Sequence, residues 1–136
     1  MAAGSDGLKK LPDSELEIMQ ILWDLAEAKK DNSENAVLRS EIEEKLADTH
    51  PIAMTTLLTL LTRLAEKGFV RIEKRGRKSV YIPVIRRDDY QAQQSRSFLE
   101  KVFGGNMSAF AAALQGSGIS RDDIEELRRL LRNDEL

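Results

Sequence analysis

Apolar side chains recur at three- and four-residue steps through Ile18, Ile21, Leu22 and Leu25, the stripe of a helix with one face in a core. Leu11-Pro12-Asp13-Ser14 leads into it, and Ser14 with Glu17 has the spacing of a capping box, which places the helix start there. The polar stretch from Lys29 to Asn35 ends it. Val37-Leu38-Arg39 is long enough only for a strand stub. Ser40 with Glu43 repeats the capping-box spacing before a short second helix carrying Ile42 and Leu46. Asp48-Thr49-His50-Pro51 reads as a turn, because Pro51 disfavours helical geometry at His50.

A third helical pattern runs over about 53–67, and Gly68 sits where a left-handed C-terminal cap needs a residue without Cβ. At about 100° per residue, Leu57, Leu60, Leu61 and Leu64 fall in one arc and Thr55, Thr59, Thr62 and Glu66 in the opposite one. Thr56 and Arg63 flank the polar arc on one side, Leu58 on the other. Phe69 to Lys74 and Lys78 to Pro83 are β-prone runs around Arg75-Gly76-Arg77, which reads as a hairpin over about 70–83. Pro83 suits the end of an edge strand. From Asp88 onward three more helices are expected, broken at Gly104-Gly105 and Gly116-Ser117-Gly118, with Ser120 and Asp123 opening the last.

The fold class this predicts is mainly α with a small β-hairpin wing. A leader at 1–10, expected to be flexible, precedes a winged helix-turn-helix domain over 11–87, and a helical domain over 88–136 follows. In such an arrangement the second helix of the turn enters the DNA major groove and the wing touches the backbone beside it.

Charge sharpens that expectation. The 136 residues carry a net charge of −2, but by segment residues 1–50 hold 6 basic and 12 acidic side chains, 51–87 hold 9 and 2, and 88–136 hold 6 and 9. The middle segment is therefore +7, and a field near a surface follows such local distributions rather than the sum. Lys74, Arg75, Arg77 and Lys78 fall within five positions, enough to neutralise several phosphates. Thr55, Thr56 and Thr59 offer hydroxyls to phosphate or base edges and methyls to thymine. Zero Cys and one His exclude thiolate and His-rich metal sites, so no metal or cofactor is expected. No apolar run approaches membrane-spanning length and no signal peptide opens the chain, which predicts a cytoplasmic protein without membrane insertion. No nucleophile with its base and no phosphate-cradling glycine loop is present, so an enzyme is not expected.

Blander readings stand beside these. The Thr row could be a solvated face, although Thr is a mediocre helix former; Arg63 could brace the fold through a carboxylate on helix one or two. The wing charges could be a solvated tip, and the whole could be a winged-helix protein-interaction module without DNA binding. Trp23 reads as core, His50 as a turn residue, and Glu41, Glu43 and Glu44 as exposed charges. The tail could fold back on its own winged helix, but about 50 residues in three short helices bury little surface alone, and packing on a second copy answers that.

Leu11-Pro12-Asp13-Ser14-Glu15-Leu16-Glu17-Ile18-Met19, Leu22-Trp23, Thr56 with Arg63-Leu64, Lys67-Gly68, and the wing's Gly76-Arg77, Tyr81 and Pro83 resemble the penicillinase repressor family (BlaI-, MecI- and CopY-type regulators). Phe98-Leu99-Glu100-Lys101-Val102-Phe103-Gly104-Gly105-Asn106 and Ile124-Glu125-Glu126-Leu127 extend the likeness into the tail. The resemblance implies a repressor that binds an inverted-repeat operator in double-stranded DNA as a homodimer. It implies DNA contacts from Thr55, Thr56, Leu58, Thr59 and Arg63, beside wing contacts from Lys74, Arg75, Arg77, Lys78 and Tyr81. Leu58 departs from the polar reader that relatives often place there. It implies dimerisation through the tail, for which Phe98, Leu99, Val102, Phe103, Phe110, Leu114, Ile124, Leu127 and Leu131 are the candidates. Copper-responsive relatives carry Cys pairs that this chain lacks. Relatives serving β-lactam resistance are switched by a sensor protease, and the matching bond here is Asn106-Met107.

Overall fold

The computed structural model describes residues 8–29 and 35–133. Among these described residues nine elements follow in order: α1 (Asp13–Glu27), β1 (Val37–Leu38), α2 (Arg39–Thr49), α3 (Met54–Glu66), β2 (Val70–Arg75), β3 (Lys78–Pro83), α4 (Arg87–Phe103), α5 (Met107–Gly116) and α6 (Arg121–Asn133). They divide into two compact units, one ending at Gln94 and one beginning at Ser95.

In the first unit the periodic leucines do what their spacing predicts. Ile18, Met19 and Leu22 of α1, Ile42 and Leu46 of α2, and Leu57, Leu61 and Leu64 of α3 meet in one buried cluster with Val37, Phe69, Val70 and Tyr81. Each such side chain contributes about 1.5–3 kcal/mol of transfer free energy. Trp23 is core, as its place in the stripe predicts, and its indole N–H donates to the Ile85 carbonyl at 2.9 Å. Gly68, at φ +84°, ends α3. Its N–H bonds the Ala65 carbonyl while that of Phe69 reaches back to Leu64, the paired bonds of a Schellman cap. That cap turns the chain from the helix into the wing.

Both expected capping boxes move. Pro12 stands at the N-cap of α1, and its carbonyl accepts the Leu16 N–H at 2.9 Å. Proline favours such a start because its ring fixes φ. Ser14 therefore lies inside the first turn, and Glu17 meets His50 Nδ1 at 2.9 Å instead. At α2 the N-cap is Leu38 rather than Ser40, and the Glu41 carboxylate accepts the Leu38 N–H at 2.8 Å. Glu41 is thus a cap, half-buried, and pairs with Lys29 at 2.9 Å. Burial pushes its carboxyl upward, but the hydrogen bonds from Lys29 and Leu38 and the Lys29 charge outweigh it and hold it below the ordinary value. A carboxyl depressed on folding stabilises above its unfolded pKa, and that contribution fades as pH falls through the folded pKa. Glu41→Gln is accordingly expected to cost under about 1 kcal/mol at neutral pH, since the pair is partly solvated. The gap to the parent, read from urea midpoints, should close below the ordinary carboxylate range.

The sheet is antiparallel in the order β1-β3-β2. Val37 and Leu38 pair with Tyr81 and Val80, and β2 pairs β3 from Val70↔Pro83 to Arg75↔Lys78. β3 is central, so Pro83 does not end an edge strand. It is tolerated because the Val84 N–H bonds the Phe69 carbonyl, which by the antiparallel alternation turns the Pro83 nitrogen toward the β1 side, where β1 has already ended.

The first unit reaches past the expected boundary at 87/88. Tyr90, in the second turn of α4, is buried between Trp23 and Phe69, with ring centroids 5.8 and 5.7 Å away. Its hydroxyl accepts the Leu11 N–H at 2.9 Å. At the other end Leu8 packs on the core and its carbonyl accepts from Gln94, so the expected leader is anchored by residue 8; residues 1–7 lie outside the described residues.

In the second unit Phe103 stacks edge-on between Phe98 and Phe110. Asn106 caps α5 by accepting the Ala109 N–H at 3.0 Å, and Ser120 caps α6 by accepting the Asp123 N–H at 3.0 Å. Neither α5 nor α6 buries a single side chain.

Candidate nucleic-acid interface

The four leucines that hold α3 on the core fix what its outer face shows. Thr55, Thr56, Leu58, Thr59, Thr62 and Arg63 are all exposed, and Leu58, Thr59, Thr62 and Arg63 line one shallow outer groove with Glu66. The Thr59 hydroxyl donates to the Thr55 carbonyl at 2.9 Å, the i−4 back-bond open to helical Thr. Its oxygen keeps acceptor capacity, and the residue stays exposed. Among the described residues no carboxylate pairs with Arg63, so the bracing alternative finds no partner there. Met54 and Leu58, one turn apart, are exposed apolar side chains on this helix.

The wing has two unlike faces. Arg71, Glu73 and Arg75 share one face of β2 by strand alternation, and Glu73 Oε2 accepts from Arg71 at 2.9 Å while Oε1 accepts from Arg75 at 3.1 Å. Those hydrogen bonds, from Arg71 first and then Arg75, hold the Glu73 carboxyl below its ordinary value. Arg75, expected as a DNA contact, is therefore engaged within the wing. Lys74 points to the other face, with its register partner Ser79. Lys74, Arg77, Lys78 and Tyr81 line a cleft of about 280 Å³ whose far wall is Leu38, Arg39 and Ser40; Lys78 does so although its register partner is Arg75. Gly76, at φ +66°, makes the tight turn between the strands.

Tyr81, expected among the exposed wing contacts, is 4% exposed and belongs to the core. β3 is the central strand and Val80, Tyr81 and Ile82 are all buried along it, Tyr81 between its register partners Val37 and Ile72, so it reaches the cleft only as a lining residue. Arg39 and Ser40 also line this cleft, and sequence reasoning passed over them; the available signal was a cation beside a hydroxyl at a helix start within an acidic segment. Among the described residues no group of three His, Cys, Asp or Glu could hold a metal ion, and no helix is long and apolar enough to cross a membrane.

Comparison with known proteins decides which lineage built this arrangement. A family model described as penicillinase repressor matches residues 11–133. The chain belongs to the penicillinase repressor family. Its relatives include the penicillinase repressor of Bacillus licheniformis, 33% identical over 91% of this chain and 93% of that one. The methicillin resistance regulatory protein MecI of Staphylococcus aureus (strain N315) is 32% identical over 90% of this chain and 93% of its own. A solution structure of the DNA-binding domain of the repressor BlaI is 30% identical over 61% of this chain and 90% of that domain, with a TM-score of 0.49. The matched span of the family runs from Leu11, whose N–H is held by Tyr90, through α6.

Proposed function

We propose that this member of the penicillinase repressor family is a transcriptional repressor that binds double-stranded operator DNA with α3 in the major groove and the β2-β3 wing on the backbone. The observation that carries it is the outward face of α3, with threonines, Leu58 and Arg63, beside the wing cations Lys74, Arg77 and Lys78, none of the four cations paired with a carboxylate among the described residues. Names of relatives as repressors agree with it. An interaction module has no need of a +7 segment at this place, and nothing in the structure favours that alternative. As an operator-binding protein it works in the cytoplasm.

The finer parts of the proposal concern the tail. The second unit leaves Phe98 50%, Val102 58% and Leu131 58% exposed. Isolated apolar faces of this kind are closed by a second copy, with Leu99, Phe103, Phe110, Leu114, Ile124 and Leu127 completing the contact. A two-fold dimer then matches an inverted-repeat operator. A sensor protease acting at Asn106-Met107 would meet exposed residues, but Asn106 is the cap of α5, so cleavage requires the first turn of that helix to open.

The test is binding of the purified chain to duplexes selected from a random pool. Nanomolar binding that weakens steeply between 50 and 200 mM salt is expected, as Lys and Arg contacts release counterions; no selected duplex bound, or no salt dependence, overturns the reading. Within the reader, Thr56→Ala should relax discrimination by roughly 1–3 kcal/mol per contacted base. Replacing thymine by uracil under Leu58 should weaken binding without changing the salt slope, because only a methyl is lost. Equal affinity for thymine and uracil at every position would remove Leu58 from the reader.

A further inference from the structure

The 280 Å³ cleft between α2 and the wing has a composition that the reader face does not explain. Arg39 brings a cation to it from α2, and Lys74, Arg77 and Lys78 bring three from the hairpin, while among the described residues no carboxylate lines it. Lys74, Arg77 and Lys78 have no ion pair among the described residues, and Arg39 has only a 3.7 Å contact with Glu43, one turn along the same helix. Like charges gathered in one concavity repel one another and focus the field outward, so an anion seated there relieves a cost that folding alone leaves in place. Ser40 adds a hydroxyl to the lining.

The arrangement is fixed rather than incidental. β1 is only two residues long, yet its pairing of Leu38 with Val80 ties the residue before Arg39 to the middle of the wing. A two-residue strand contributes little stability by itself; what it does here is set the start of α2 against β3 in register.

Resting on the DNA-binding reading above, we propose that this cleft is a phosphate clamp. It seats one backbone phosphodiester of the duplex beside the groove that α3 enters, with Arg39 and Ser40 on one side and Lys74, Arg77 and Lys78 on the other. Arg39 and Ser40 are then binding residues, and Arg75, engaged by Glu73 and not among the residues lining the cleft, is not.

Methylphosphonate scanning of a selected duplex tests this, one neutralised phosphate at a time, with the full-length chain. The parent should lose about tenfold at one flanking phosphate per half-site. Arg39→Ala should bind more weakly, with a salt slope shallower by about one per half-site, and should be nearly indifferent to neutralising that same phosphate. Arg39→Lys should retain most of the parent's sensitivity, and Arg75→Ala should retain the parent's slope. Circular dichroism melts of each variant guard against a folding defect. If Arg39→Ala binds with the parent's slope and the parent's sensitivity at every phosphate, the clamp is wrong while DNA binding stands. If the parent binds no duplex at all, both readings fall.

Discussion

A chain ending at Gln94 is expected to bind operator DNA on the order of 10²–10⁴-fold more weakly than the full chain, while its winged helix keeps its melting behaviour. Both halves of this result come from where the units divide. The cut falls after Tyr90, so the hydroxyl that receives the Leu11 N–H and the ring between Trp23 and Phe69 remain. A cut at 87/88, the boundary that helix spacing suggests, would remove that ring and leave a hole against Trp23, costing about 3–5 kcal/mol as large aromatic truncations do. The loss of affinity is the loss of linkage. Two readers tethered through one tail engage two half-sites with a high effective concentration for the second contact, and a single reader has only its own. Light scattering and gel shifts on the two chains check it. A full-length chain that is monomeric at micromolar concentration, or a truncated one that binds as tightly, would overturn the dimeric reading.

That boundary shows where sequence reasoning stops. Periodicity is a statement about which face of a helix is apolar, and it placed α1, α2, α3 and the wing because Leu57, Leu61, Leu64 and their partners all obey one core. It says nothing about where a long helix leaves that core. Tyr90 lies in a polar stretch, Asp88-Asp89-Tyr90-Gln91, and only its distant partners Leu11 and Phe69 make it a core residue. Capping failed for a related reason. Ser14 and Glu17, and Ser40 and Glu43, have the right spacing, but Pro12 and Leu38 start the helices, and Glu17 and Glu41 serve contacts with His50 and Lys29 made across the fold.

The candidate interface was legible to the same degree. The outer face of α3 follows from its inner face, so Thr55, Thr56, Leu58, Thr59 and Arg63 all emerge where spacing puts them. The wing was legible only as charge. Which cations are free depends on a ladder through Glu73, and Tyr81 is buried by the strand that pairs beside it, neither of which a count of Lys and Arg contains.

Sequence also gave no sign of the pair that sets the second large effect. Glu15, 4% exposed in its side chain, holds Lys67 at 2.5 Å, which joins the first turn of α1 to the C-cap of α3 and so orients the reader on the core. Removing one partner strands the other charge. Lys67→Met is expected to cost about 2–4 kcal/mol, toward the low side of what breaking a buried pair costs, because Lys67 is itself partly solvated. Glu15→Leu alone leaves a lysine free to turn outward into water, and should cost less. Replacing both, Glu15→Leu with Lys67→Met, should recover most of the loss, since a buried ion pair exchanged for apolar side chains of similar volume is often neutral. Urea midpoints for the four proteins form a closed cycle. Additive losses in the double variant would mean that the two side chains act separately and that the orientation of α3 rests on the leucine packing alone. Recovery of stability with operator affinity still reduced would locate the pair's function in aiming the reader helix rather than in holding the fold.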